Sequence, residues 1–158
     1  MRHITYGDIE HVIPKSKQPE LSFVWENLTM ACDVCNTNKG TFYEVIDASN
    51  DSILIDPYVD TPSNHFMFIA EHVRPRPDST RGYISDKVIK LSRNELNERR
   101  KERLEFITGL VKAICLANNA EEKGFLIEDL YTNHLGPNSE FSATSNSFVA
   151  HLRDKSVF

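Results

Sequence analysis

Hydrophobic and polar positions alternate in short runs at the start of the chain and settle into a helical period further on. Residues Asp8 to Ile13 (Asp-Ile-Glu-His-Val-Ile) fit a short strand, closed by Pro14, which has no N–H to give a ladder. A polar loop follows through Lys15-Ser16-Lys17-Gln18-Pro19. Phe23-Val24-Trp25 then leads into Asn27-Leu28-Thr29-Met30-Ala31, which fits a second strand. A short helix is expected from Asp33 to Asn38, with Gly40 as its stop signal. The predicted order is strand, loop, strand, helix.

From Ile46 to Arg81 the pattern is irregular and holds Pro57, Pro62, Pro75 and Pro77, with strand-like runs at Ser52 to Ile55 and Phe66 to Ile69. Asp86 to Asn118 reads as helix, with Leu104, Ile107, Val111 and Ile114 on one stripe. A break near Asn94 is expected, because Ser92 or Asn94 can cap a new helix. Glu121 to Tyr131 reads as a further short helix, interrupted near Gly124. The stretch beyond Gly136 reads as a polar tail with scattered anchors at Phe141, Phe148, Val149 and Leu152.

Composition narrows the class. Across 158 residues, 40% are hydrophobic and 26% charged, as in a globular protein with a core. No apolar stretch approaches the roughly 20 residues of a membrane span. Three cysteines, Cys32, Cys35 and Cys115, make a poor disulfide scaffold and suit a reducing cytoplasm. The formal net charge is -5, but the charge is uneven. Between Arg81 and Arg103, eight basic residues stand against four acids. That segment either faces a phosphate backbone or forms a solvated helix surface.

Three groups near the N-terminus suit phosphodiester hydrolysis. The reaction needs an activated water and a cation that neutralises charge on the phosphate. Histidine is a suitable general base near neutral pH, which points to His11. A hard cation prefers oxygen donors, which Glu10 and Asn36 can supply. Neighbouring strand residues point to opposite faces, so Glu10 and His11 can share a site only where the strand twists or ends. Taken singly, each residue has a plainer reading. His11 fits a half-buried structural histidine, Asn27 and Asn36 turn or cap residues, and Cys32 and Cys35 core thiols or half of a zinc site.

Taken together, Glu10-His11, then Asn27-Leu28, then Cys32-Asp-Val-Cys-Asn-Thr-Asn-Lys-Gly40 resembles the HNH, or ββα-metal, nuclease family. The resemblance implies His11 as general base and Glu10 and Asn36 as ligands of a catalytic Mg²⁺ or Mn²⁺. It implies that Asn27 pins the loop and orients His11, and that Lys39 lies near phosphate. Many members of the family carry a second Cys-x-x-Cys that completes a structural Zn²⁺ site. Here Cys32 and Cys35 stand without it, and His3 is the nearest candidate for a third ligand. Trp25-Glu-Asn-Leu, Leu54-Ile-Asp-Pro-Tyr-Val-Asp-Thr-Pro and Val88-Ile-Lys-Leu-Ser-Arg-Asn-Glu-Leu-Asn-Glu-Arg-Arg narrow the likeness. They are similar to the HNH effector of Septu and retron-linked anti-phage systems.

That likeness implies DNA as substrate and an ABC-type ATPase as partner. The expectation is an α+β chain, with a ββα-metal core over residues 1–45 and a mainly helical extension over 46–158. Lys15, Arg93, Arg99 and Arg100 are candidate nucleic-acid contacts. Two other readings stand beside it: a stand-alone HNH nuclease of restriction type, and a catalytically silent HNH-like module that binds DNA or a partner.

Overall fold

A computed structural model of the chain describes residues 7–46 and 51–155; His3 lies outside them. The architecture is α+β, with three two-stranded sheets and five α-helices among the described residues. The chain forms two compact units, one of residues 1–65 and 75–91, the other of 66–74 and 92–158.

In the first unit, β1 (Gly7–His11) pairs antiparallel with β2 (Leu28–Cys32), placing Glu10 opposite Thr29 and His11 opposite Leu28. The strand predicted to reach Ile13 ends at His11, because Asn27 takes over the next backbone groups. The Val12 amide donates to the Asn27 carbonyl at 2.9 Å, and the Ile13 amide to Asn27 Oδ1 at 2.7 Å.

Helix α1 (Asp33–Lys39) packs on both strands. It starts where Cys32 Sγ accepts the Cys35 amide at 3.4 Å, and Asp33 favours the positive end of the helix dipole. It stops at Gly40, whose φ of 50° lies in the left-handed half of backbone space that a side chain disfavours.

Beyond a small pairing of β3 (Val45–Ile46) with β4 (Asp51–Ser52), the chain is irregular but closely bonded. Helix α2 (Thr80–Ile89) gathers it. Ser85 Oγ accepts the Ile55 amide at 2.9 Å, and Arg81 Nη2 donates to the Leu54 carbonyl at 3.1 Å. α2 also packs on α1, and Asn38 Nδ2 donates to the Ile89 carbonyl at 3.2 Å. Gly82 permits a close approach there, since a Cβ at that position would collide with the His65 carbonyl oxygen.

In the second unit, β5 (Phe66–Ile69) and β6 (His72–Pro75) form a hairpin. Helices α3 (Asn94–Leu116), α4 (Ala120–Asp129) and α5 (Ser142–Asp154) build the apolar core. Ile107, Val111 and Ile114 from the predicted stripe bury against Leu130, Leu135 and Val149.

Two expectations for the rest of the chain are corrected, and one is met apart from its cap. The break expected in the helix read from Asp86 is present, where Lys90 takes a left-handed conformation (φ 58°) and ends α2. The break falls near its predicted place, but Arg93 occupies the cap position. α4 runs through Gly124 unbroken, and the irregularity comes later, as a π-helical turn over Leu130–His134. The polar tail is helix α5, because Phe148, Val149 and Leu152 recur at helical spacing and pack on the core.

Candidate functional site

The site grows from the end of β1 and the start of α1. Glu10 is 7% exposed. Its Oε1 accepts two bonds, from the His11 amide at 2.7 Å and from Lys39 Nζ at 3.1 Å. Its Oε2 is buried and has no hydrogen-bond partner among the described residues. Thr29 Oγ1, on the residue opposite Glu10 in the ladder, is likewise buried without one. Opposed residues share a face of the sheet, so two unsatisfied oxygens sit in neighbouring positions. Leaving a buried polar group unpaired costs about 1–3 kcal/mol, which a bound ion or water would relieve.

Lys39 is also buried, and its Nζ donates to the His11 carbonyl at 2.6 Å. The ammonium therefore ties α1 to the strand that carries Glu10 and His11. Asn36 lies one helical turn before Lys39, half-buried and on the same face of α1.

The His11 ring is fixed through Nε2, which lies 2.9 Å from the Ser22 carbonyl oxygen. A carbonyl oxygen can only accept, so Nε2 carries the hydrogen of the neutral ring. The lone pair then resides on Nδ1, the nitrogen left to take a proton. Ser22 is held in turn by the loop between the strands, and that loop depends on Asn27. Asn27 is 5% exposed, accepts from the Ile13 amide, and donates from Nδ2 to the carbonyls of Ile13 and Leu21, both at 3.1 Å. Asn27 thus clasps both arms of the loop and bears on His11 through the backbone.

Nothing in the sequence singles out Ser22 or Thr29. Their roles follow from strand register and loop shape, which residue identities do not display.

The donors suit a hard divalent cation: Glu10 has a buried carboxylate oxygen without a hydrogen-bond partner among the described residues, and Asn36 shares a face of α1 with Lys39, which bonds Glu10. Among the described residues, no group of three His, Cys, Asp or Glu side chains is placed to hold a metal. Cys32 Sγ caps α1.

The candidate nucleic-acid contacts are dispersed. Lys15 is exposed on the loop, whereas Arg93 is half-buried at the start of α3. Arg99 Nη1 meets Glu102 at 2.6 Å and its Nη2 meets Glu140 at 3.5 Å. Arg100 is 5% exposed, bonded to Asn97 and stacked 5.5 Å from the Phe141 ring centre, so its guanidinium is turned into the protein. The basic stretch is also divided, since α2 and α3 belong to different units.

A second polar knot lies in the first unit, where Asp60 receives Arg81 at 2.7 Å on each oxygen. Burial alone would raise the Asp60 carboxyl. The hydrogen bonds from Arg81 and the Asp56 amide, with the charges of Arg81 and His65, outweigh it and hold that carboxyl below its ordinary range. Asp60 and Arg81 line a groove of about 400 Å³ together with Val12, Val24, Asn27 and Val59.

Comparison with known proteins gives this element its class. Residues 2–42 match the family model of the HNH endonuclease, so the ββα element is of the HNH class. More narrowly, the chain is 45% identical over 60 residues to Septu protein PtuB of Bacillus thuringiensis. That stretch covers 38% of this chain and spans only 21% of the relative's length. No solved structure matches the chain significantly.

Proposed function

We propose that the chain is a metal-dependent endonuclease that hydrolyses phosphodiester bonds of DNA as the effector of an anti-phage defence system. The observation that carries this reading is the bond from His11 Nε2 to the Ser22 carbonyl, because it leaves Nδ1 as the nitrogen able to take a proton, on the residue next to Glu10, whose Oε2 has no hydrogen-bond partner among the described residues. In this mechanism a water gives its proton to His11 Nδ1 while its oxygen attacks phosphorus and the leaving oxygen departs.

Glu10 Oε2 and the Asn36 amide oxygen would hold Mg²⁺ or Mn²⁺. The cation supplies neutralisation of charge at the phosphate and the leaving oxygen. Lys39 and the His11 amide grip the other oxygen of Glu10 and keep its carboxylate aimed. Asn27 keeps the loop, and through Ser22 the histidine ring, in register.

The HNH match and the similarity to the Septu protein support a nuclease role in defence. With a net charge of -5, the chain gains little from electrostatic attraction to DNA, which favours delivery by a partner subunit, here proposed as an ABC-type ATPase. The first unit would hold the chemistry and the helical second unit the docking. Among the described residues, no helix is long and apolar enough to cross a membrane.

The test is plasmid cleavage by the purified chain with Mg²⁺ or Mn²⁺, against excess chelator and against His11→Ala. Chelation should abolish cutting, and His11→Ala should slow it roughly 10²- to 10⁴-fold with circular dichroism and DNA binding retained. A folded His11→Ala variant with near-normal rate would assign water activation elsewhere. Rapid cleavage by the chain alone at physiological salt would favour a stand-alone nuclease over a partner-dependent one.

A further inference from the structure

The loop that fixes His11 also presents the most exposed aromatic surface of the first unit. Ser22, whose carbonyl receives the histidine ring, is followed directly by Phe23, which is 96% exposed. Trp25, two residues on, is 82% exposed. The loop is not slack. The Ser22 amide donates to Pro19, that of Val24 to Leu21 and that of Asn27 to Val24, and the Asn27 side chain closes the base of the loop. The rings therefore stand on a braced support within two or three residues of the group that anchors the proposed base.

Charge selects among the occupants of such a surface. Between Val12 and Asn27, Lys15 and Lys17 are offset by Glu20 and Glu26, so the loop has no net charge with which to follow a phosphate backbone. Lys17 is moreover engaged with the Tyr43 carbonyl at 2.7 Å. A nucleic-acid chain next to His11 also offers the flat faces of its bases, and aromatic side chains hold those without charge and with little regard to sequence. The neighbouring groove, with Val12, Val24 and Val59, carries Glu26, Asp56 and Asp60 against Arg81, so it too offers no positive charge for a phosphate backbone.

We infer that Phe23 and Trp25 form a stacking platform for nucleobases next to the scissile phosphate, gripping substrate by base stacking rather than by charge. The inference rests on the nucleic-acid reading of the His11 site and adds how that site holds its substrate.

Trp25 is the single tryptophan of the chain and reports directly on the platform. Its emission would be followed in chelator while the whole chain is titrated with a short mixed-sequence DNA strand, its duplex, and an abasic strand with the same backbone. Quenching by the base-containing strand and much weaker binding of the abasic strand are expected. Phe23→Ala and Trp25→Ala, followed by anisotropy of labelled DNA, should each weaken binding roughly 10-fold with the slope of log affinity against log salt unchanged. Both side chains are exposed, so circular dichroism should show intact folds.

Equal affinity for base-containing and abasic strands, or unchanged Trp25 emission at saturation, would overturn the platform while leaving the nuclease reading in place. Failure to bind any of the three probes would overturn the platform, while the nuclease reading stands or falls by the cleavage assay. Trp25 that becomes shielded from a soluble quencher as protein concentration rises, but not on adding DNA, would assign the loop to a protein contact and reject the inference.

Discussion

The two units of this chain are stabilised by opposite means. Among the described residues, ten of the eleven buried hydrophobic side chains belong to the second unit, and Leu54 alone to the first. The first unit instead buries Glu10, Asn27, Lys39, Ser79 and Ser85, while it exposes Ile9, Phe23, Trp25, Met30 and Val59. A helical unit with Ile107 and Leu130 fully buried draws on the ordinary hydrophobic effect. The first unit is a lattice of polar clasps around short elements: Asn27 across the loop, Lys39 between helix and strand, Arg81 on the Asp56–Asp60 turn.

The difference fits the proposed function. A hydrolytic site would have to keep carboxylate, imidazole and amide in one place and partly wet, which an oil-like interior would not tolerate. Polar clasps are directional, so they give exact placement, but each is costly to lose.

The sharpest way to break this contrast is to remove one member of the buried ion pair. Lys39→Met should leave Glu10 buried without its cation and destabilise the first unit by about 3–5 kcal/mol. Adding Glu10→Gln should recover much of that loss, measured as denaturant midpoints in a double-mutant cycle. A single mutant of wild-type stability would show that the pair holds nothing together.

In the second unit the matching lesion is a cavity. Ile107→Ala should cost about 2–5 kcal/mol, and hydrogen exchange should show the loss concentrated in α3, α4 and α5. Exchange spread evenly over both units would mean that they unfold as one body.

The smallest effect concerns pH. The Asp60 carboxyl is held below its ordinary range, so the folded form binds its proton more weakly than the unfolded chain does. The stabilisation from Asp60 is then complete above the ordinary carboxylate value and fades as pH falls through the depressed one. Asp60→Asn should flatten the acid limb of stability against pH. An unchanged acid limb would deny the Arg81–Asp60 pair its part in the first unit.

Much of this was legible beforehand, and unevenly so. The strand–loop–strand–helix order could be read because each element announces itself locally, by alternation, Pro14, the start at Asp33 and the stop at Gly40. The apolar stripe on α3 could be read for the same reason, as could Phe66–Ile69 as a strand. Helix α5 was hidden, because its apolar anchors are few and sit among serines and asparagines, so its helical state draws on the core it covers. Arg100 reads as a surface cation by type, yet Asn97 and Phe141 draw it inward.

The sequence by itself determined that a histidine, a carboxylate and an amide stand at HNH spacing, because these are covalent facts of the chain. It also determined where the strand–loop–strand–helix element begins and ends. Only the tertiary structure decided that His11 is anchored through Nε2, that Lys39 turns to Glu10 and the His11 backbone, and that Asp60 meets Arg81. Those choices depend on which groups are brought within 3 Å or so of one another by register and packing, and hydrogen bonds that weaken steeply with distance and angle leave no trace in residue order.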